Sequence, residues 1–191
     1  MKKILIGTHN KGKFKEIAYL ISKKYKKISP LSLNIKSPKE TGKSFISNSK
    51  LKVNFFSKYV DYPVISDDSG LRIEALNNKP GVYSARLAKK HGSFHKAMKF
   101  ILKKMKQKKN RKATFVCSLS YKNDYGKIIS TEGRLKGNIA NKILGKRGFG
   151  YDAIFIPIKK KITFGQMSQS KKIKMDHRYI AFQKLKKKIK I

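Results

Sequence analysis

The sequence predicts an α/β fold built around a mixed β-sheet. Short apolar runs alternate with segments of helical spacing, which gives strand–helix–strand units. One strictly alternating stretch leads through a turn into a second strand, which gives an antiparallel hairpin. No internal repeat and no linker divides the 191 residues, so one domain spanning 1–191 is expected, long enough for two lobes.

The elements follow in order. Lys3 to Gly7 is a short apolar run and reads as a buried first strand. After the polar stretch Thr8–Lys13, Phe14, Ile17, Ala18 and Ile21 fall at helical spacing, predicting a helix to about Lys24. Residues 25–40 are mixed, and Pro30 and Pro38 break any long element. Phe45, Leu51, Phe55 and Tyr59 give a loosely helical pattern over Ser44–Val60, ended by Pro63. Val64-Ile65 then opens a strand that runs into Asp67-Asp68 and a Ser-Gly turn, with Leu71, Ile73 and Ala75 alternating as a second short strand. Asn77–Gly81 is a turn. Phe94, Ala97, Met98, Ile101, Leu102 and Met105 mark the cleanest amphipathic helix. Ala113, Phe115, Cys117, Leu119 and Tyr121 alternate in a long strand, and Asn123–Gly126 turns it into another that begins at Ile128 and reaches about Leu135. Residues 145–150 form a glycine-rich loop, Asp152–Ile158 a further strand, and His177 to the C-terminus a Lys-rich helix with Ile180, Ala181, Leu185 and Ile189 inward.

Composition narrows the function. No apolar run approaches the ~20 residues a membrane span needs, and Met1–Gly7 is too short for a signal peptide, so a cytoplasmic protein with no membrane partner is expected. Cys117 is the only cysteine, which excludes an internal disulfide and disfavours a cysteine metal site. The chain carries 48 basic and 10 acidic residues, a formal charge of +38. The basic residues are nearly all Lys, Arg standing only at 72, 86, 111, 134, 147 and 178. The lysines are spread over almost every polar segment with no single basic arm, whereas readers of nucleic acid favour Arg. The charge therefore reads as a compositional bias, with no specific nucleic-acid partner expected. Its field would still attract polyanions in a salt-dependent way.

Against that background the pair Asp67-Asp68 stands out. Adjacent carboxylates repel unless a cation relieves them, and a divalent metal on hard oxygen ligands would do so. A solvated Asp-Ser-Gly turn is the plainer alternative. Gly7–Lys13 has the G-x-x-x-x-G-K spacing of a phosphate loop, whose backbone N–H groups and Lys would cradle phosphate. Phe14 stands where a Walker loop has Ser or Thr, and a simple polar connection is the alternative. Gly148–Asp152 sets two aromatics and a carboxylate among glycines, so Phe149 could stack on a base or sit in a core. Lys172, His177 and Arg178 add cationic donors. His9, His91 and His95 show no metal-ligand spacing.

Together these residues resemble the inosine triphosphate pyrophosphatase family, the Ham1-like noncanonical purine NTP pyrophosphatases. The resemblance runs along nearly the whole chain: Thr8–Lys13 with Glu16 following, Glu40-Thr41-Gly42 with Phe45-Ile46 and Asn48, Ser66–Leu71, Pro80–Arg86, Gly148–Asp152, Thr163-Phe164, Lys172 and His177-Arg178. His9, Ala153, Asp176 and Tyr179 depart from the pattern, standing where Gly or Asn, Pro, Ser and Gly are usual. The resemblance implies an elongated mixed sheet with flanking helices forming two lobes around a nucleotide cleft, and a homodimer. It implies Mg²⁺-dependent hydrolysis of ITP, dITP and XTP to the monophosphate and pyrophosphate. Thr8, His9, Asn10, Lys11, Gly12 and Lys13 would hold the triphosphate, and Ser69, Gly150, Tyr151 and Asp152 would contact substrate. Phe149 would stack on the base, and Lys172, His177 and Arg178 would read the base or clamp phosphates. Glu40 and Asp68 would hold Mg²⁺, Asp67 would support the metal indirectly, and Asp68 would activate water. A charge-driven nonspecific nucleic-acid-binding protein and a phosphoryl-transfer enzyme using the Gly7–Lys13 loop are the rival readings.

Overall fold

Residues 1–189 are described in a computed structural model of the chain. The strands are β1 (Lys2–Ile6), β2 (Tyr25–Ile28), β3 (Val64–Ile73), β4 (Lys79–Pro80), β5 (Lys112–Lys122), β6 (Ile128–Ile139) and β7 (Phe155–Pro157). The helices are α1 (Lys11–Leu20), α2 (Phe45–Phe56), α3 (Ser84–Lys90), α4 (Phe94–Met105), α5 (Gln169–Lys172) and α6 (His177–Lys186). Hydrogen-bonded neighbours follow the order β2-β1-β3-β5-β6-β7, with β4 paired to β3. β1 pairs parallel with β2 and β3, while β4 on β3 and β7 on β6 are antiparallel. The sheet is mixed, as the sequence predicted.

By internal contacts the chain forms two units: Met1–Asp68 with Cys117–Gly133 and Arg178–Ile191, and Ser69–Val116 with Arg134–His177. In the first unit the sheet is buried on both faces. Ile4, Ile6, Ile65, Cys117 and Leu119 pack with Ile17 of α1 and Ala181, Phe182 and Leu185 of α6. Leu5 and Val64 point the other way, onto Val53 and Phe56 of α2. Successive strand residues thus enter different cores, which explains the continuous apolar runs. Gly7 follows β1 where the chain lies close against β3 and α2. A Cβ there would lie 2.2 Å from Ser66 Oγ and 2.5 Å from the Phe56 ring. Gly7→Ala is therefore expected to cost about 1–3 kcal/mol by overpacking, read as a lower urea midpoint at unchanged slope.

The second unit has one core. Leu71 and Ile73 of β3, Ala113 and Phe115 of β5, and Phe155 of β7 pack with Ala97, Met98, Ile101 and Met105 of α4. The i, i+4 spacing read from the sequence buries the expected face of α4, and Ser93 caps its start through the Lys96 N–H.

Several expectations change. β3 is one ten-residue strand through Asp67, Asp68, Ser69 and Gly70, not a strand, a turn and a second strand. The acids have partners on both faces of the strand, so the chain need not turn them out to water. α1 stops at Leu20, short of Lys24, because residues 25–28 pair with β1 as β2. α2 is Phe45–Phe56, ending before Val60. Residues 152–154 form a 3₁₀ turn ahead of the three-residue β7. The last helix ends at Lys186, short of the C-terminus; Ala181 and Leu185 are buried, Ile189 beyond it packs against the same core, and 190–191 lie outside the described residues.

Candidate active site

The first unit gathers the N-terminal loop and the acids. Asn10 caps α1, its Oδ1 accepting from the Lys13 N–H at 3.0 Å, and Thr8 Oγ1 accepts from the Asn10 N–H at 3.3 Å. The loop thereby presents a helix N-terminus, with its partial positive charge, beside Lys11 and Lys13. His9 is fixed by Nε2 bonding the Ile35 carbonyl at 2.8 Å and by stacking near Phe56.

Asp67 and Asp68 are neighbours on one strand and therefore face opposite sides of it. Asp67 lies on the α1/α6 side. Lys13 Nζ is 3.1 Å and Arg178 Nε 3.6 Å from its Oδ2, and Arg178 also pairs with the fully buried Glu16. Burial alone would raise the Asp67 pKa, but Lys13, Lys52 and Arg178 outweigh it and hold the carboxyl well below the usual range. Asp68 lies on the α2 side, accepting from Asn48 Nδ2 at 2.9 Å. Burial pushes its pKa up to about 6; Lys13 pulls the other way and Glu40 adds to the rise. Lys13 is itself raised: burial opposes this, and Asp67 and Asp68 outweigh the burial. Lys52, buried on α2, reaches the Asp67 carbonyl at 2.7 Å and Glu40 Oε1 at 3.4 Å.

Glu40 and Asp68 are the carboxylates that could share a divalent cation. They feel each other's charge, and one is poorly solvated, which is the condition a cation relieves. Among the described residues no cluster of three or more His, Cys, Asp or Glu side chains could hold a metal. A cation on these two would complete its oxygen shell from water and phosphate, as Mg²⁺ commonly does.

The second unit gathers the glycine-rich loop, Lys172 and His177. Gly148 and Gly150 have φ of +76° and +66°, in the left-handed region. The Phe149 N–H donates to Asp152 Oδ2 at 2.8 Å, and a Cβ on Gly148 would meet that oxygen at 2.1 Å. Lys172 Nζ is 2.5 Å from the same oxygen, 4.5 Å from the Phe149 ring centre and 5.5 Å from that of Phe164. Asp152 therefore ties the loop to the cation from α5, and Lys172 holds Phe149 by a cation–π contact. Tyr151 is buried, its hydroxyl donating to the Ser84 carbonyl at 2.8 Å, so its side chain anchors the loop. His177 is buried and stacked on Phe115 at 4.7 Å. A cavity of about 540 Å³ borders the loop, lined by Phe149, Gly150, Asp152, Arg147, Phe94 and Met98.

The structure thus brings together Asn10, Lys13, Asp67 and Arg178, then Glu40 and Asp68 through α2, and separately Phe149, Asp152 and Lys172. Sequence reasoning gave no role to Glu16, Asn48 or Lys52. Their signal was polar or charged residues on inward helix faces: Glu16 beside Ile17, and Asn48 and Lys52 four apart among Phe45, Ser49, Val53 and Phe56.

Known proteins resemble this chain over its full length. Residues 4–188 match the model of the Ham1 family. A dITP/XTP pyrophosphatase of Dictyoglomus thermophilum is 40% identical over 96% of this chain and 92% of its own. One of Wigglesworthia glossinidia brevipalpis is 41% identical over 100% and 98%. The Staphylococcus aureus Ham1 protein superimposes with a TM-score of 0.86 at 34% identity, covering 97% of each chain. A HAM1 protein from Coxiella burnetii gives 0.87 at 30%, covering 98% of each. No helix among the described residues is long and apolar enough to cross a membrane.

Proposed function

The chain belongs to the Ham1 family, and from that premise we propose that it hydrolyses dITP, XTP and ITP to the nucleoside monophosphate and pyrophosphate. The observation that carries this is the divergence of two adjacent carboxylates. On one face of the strand Asp67 is kept ionised by cations, while on the other Asp68 meets Asn48 and, in the metal-free protein, burial and Glu40 raise its pKa. Neighbouring acids with pKa values pushed apart are how one site assigns a permanent counter-ion and a proton acceptor.

In this reading Thr8, His9, Asn10, Lys11, Gly12 and Lys13 bind the triphosphate. The capped α1 N-terminus and the lysines stabilise the charge that grows on the pyrophosphate as it leaves. Asp68 accepts the proton of the attacking water as the anhydride bond between the α- and β-phosphates breaks. Glu40 and Asp68 would hold Mg²⁺, which when bound would neutralise phosphate charge and acidify a coordinated water. Asp67 keeps Lys13 and Arg178 in place. Ser69 and the backbone of Gly150 and Tyr151 contact substrate, Phe149 stacks on the base, and Asp152 orients Phe149 and Lys172. The relatives support this substrate class; a homodimer is the form expected in solution.

Base choice follows from donor chemistry. Lys172 and Arg178 only donate, and His177 can donate. A 6-keto purine offers such donors an acceptor, whereas adenine offers an amino donor that none of them can accept from. ITP and XTP are therefore expected to exceed ATP in kcat/KM by at least ~10² and toward ~10⁴ in an enclosed site. The measurement is kcat/KM for ITP, XTP, GTP and ATP with Mg²⁺, with pyrophosphate and monophosphate identified as products. Equal values for ITP and ATP, or release of orthophosphate, would overturn the reading.

A further inference from the structure

We propose that Asn48 is a positioning residue for this reaction, bracing the Glu40–Gly42 segment and Asp68 against one face of α2. The proposal rests on the roles just given to Glu40 and Asp68. Asn48 is fully buried. Its Oδ1 accepts from the Gly42 N–H at 2.7 Å, and its Nδ2 donates to Asp68 Oδ2 at 2.9 Å. The two ends of a side-chain amide differ, one accepting and one donating. The Gly42 N–H can only donate, so it selects the oxygen end, which turns the amino end onto the carboxylate. The backbone of the loop thereby dictates which group meets Asp68.

The approach is close enough to exclude a side chain at 42. A Cβ on Gly42 would lie 2.5 Å from Asn48 Oδ1 and 2.4 Å from Ser47 Oγ. One helical turn on, Lys52 repeats the pattern, touching the Asp67 carbonyl and Glu40 Oε1 at 2.7 and 3.4 Å. So two successive inward positions of α2 each grip both β3 and the loop that carries Glu40. The helix has fixed anchors of its own. Ser44 and Ser47 form a capping box at its start, and Ser49 bonds Ser118 and Ser120 of β5 at 3.0 and 2.8 Å. Two carboxylates that repel one another would otherwise separate; the brace keeps Glu40 and Asp68 in a fixed relation before any ligand arrives.

The competing account is that Asn48 merely satisfies a buried loop N–H. Asn48→Asp separates the two, because it keeps the shape and the acceptor for Gly42 but turns the donor facing Asp68 into an oxygen. Asn48→Ala removes both bonds. Amide hydrogen exchange at Gly42 is measured in the metal-free, nucleotide-free proteins, thermal unfolding alongside, and kcat and KM on ITP at saturating Mg²⁺. For Asn48→Asp the expected result is wild-type exchange at Gly42, a kcat lower by about 10–100-fold and a KM within about threefold. For Asn48→Ala, Gly42 exchange accelerates as well. Asn48→Asp turning over at the wild-type rate would overturn the brace alone. Activity lost by both variants only in proportion to the unfolded fraction would also overturn it. A wild-type protein inactive on ITP would instead overturn the reaction, and this role with it.

Discussion

Asp68→Asn is expected to lower kcat on ITP by about two orders of magnitude or more, since positioned general-base catalysis alone contributes ~10²–10⁴. The substitution keeps the size of the side chain and removes its charge and its capacity to take a proton. The same change should stabilise the metal-free protein. Asp68 has a pKa raised to about 6 in the fold, so its neutral form is favoured there relative to the unfolded chain. That contribution is fully present below the ordinary carboxylate pKa of about 3.9 and is lost as pH rises through about 6. At pH 8 the wild type therefore carries an unfavourable buried charge that Asn lacks, and the variant should gain on the order of 1 kcal/mol or more in urea unfolding without Mg²⁺. Higher stability together with near-abolished turnover is the joint signature. Wild-type turnover of Asp68→Asn at saturating Mg²⁺ would remove the residue from the chemistry.

Asp67→Asn should do the opposite to stability. Its carboxylate is fully buried with Lys13 and Arg178 on it. Removing the charge leaves Lys13 with Asp68 and Arg178 with Glu16 as their remaining counter-charges in a low-dielectric setting, a loss approaching the ~3–5 kcal/mol typical of a broken buried pair. The sign with pH is fixed by the depressed pKa of Asp67. Its stabilising contribution is present above the unfolded carboxylate pKa and is lost as pH falls below it toward the native value. The wild type should thus lose stability steeply below about pH 4, and the variant more gently from a lower plateau. Paired urea titrations at pH 3 to 7 measure both; parallel curves would mean that Asp67 is not the counter-ion of this cluster. Turnover of Asp67→Asn should fall less than that of Asp68→Asn.

Much of this was legible in the sequence where physics is local. The i, i+4 apolar spacing fixed α4, and strict alternation located β5. The order of short motifs located the Gly7–Lys13 loop, the acids and the glycine-rich loop. What failed depended on partners distant in the chain. Residues 25–28, Tyr-Lys-Lys-Ile, show no strand alternation and are extended because β1 offers a parallel edge. α3 begins without a side-chain cap and spans only seven residues, so no start signal marks it. The acid pair read as the end of a strand because its compensating cations lie on α1, α2 and α6. Arg178 read as a cationic donor for base or phosphate, and its pairing inside the protein, between Glu16, 162 residues away in sequence, and Asp67, went unseen. Charge compensation at such separations leaves no periodic trace.

The alternation of β3 has a consequence for how the site is encoded. Val64 and Ile65 are interchangeable in character, and Asp67 and Asp68 are identical. A slip of one residue would offer each face nearly the same chemistry while exchanging the fates of the two acids. Residue type therefore says nothing about which aspartate meets the cations and which would serve as base in the proposed reaction; parity alone separates them. Hydrophobic patterning, which elsewhere punishes a slip by turning the core outward, resists only weakly here because both faces are interior. The frame must be held by features that are not degenerate: the missing Cβ of Gly7 against Ser66, the cations on one side and the amide of Asn48 on the other. The parts that hold the strand in frame are thus largely the parts that give each acid its task.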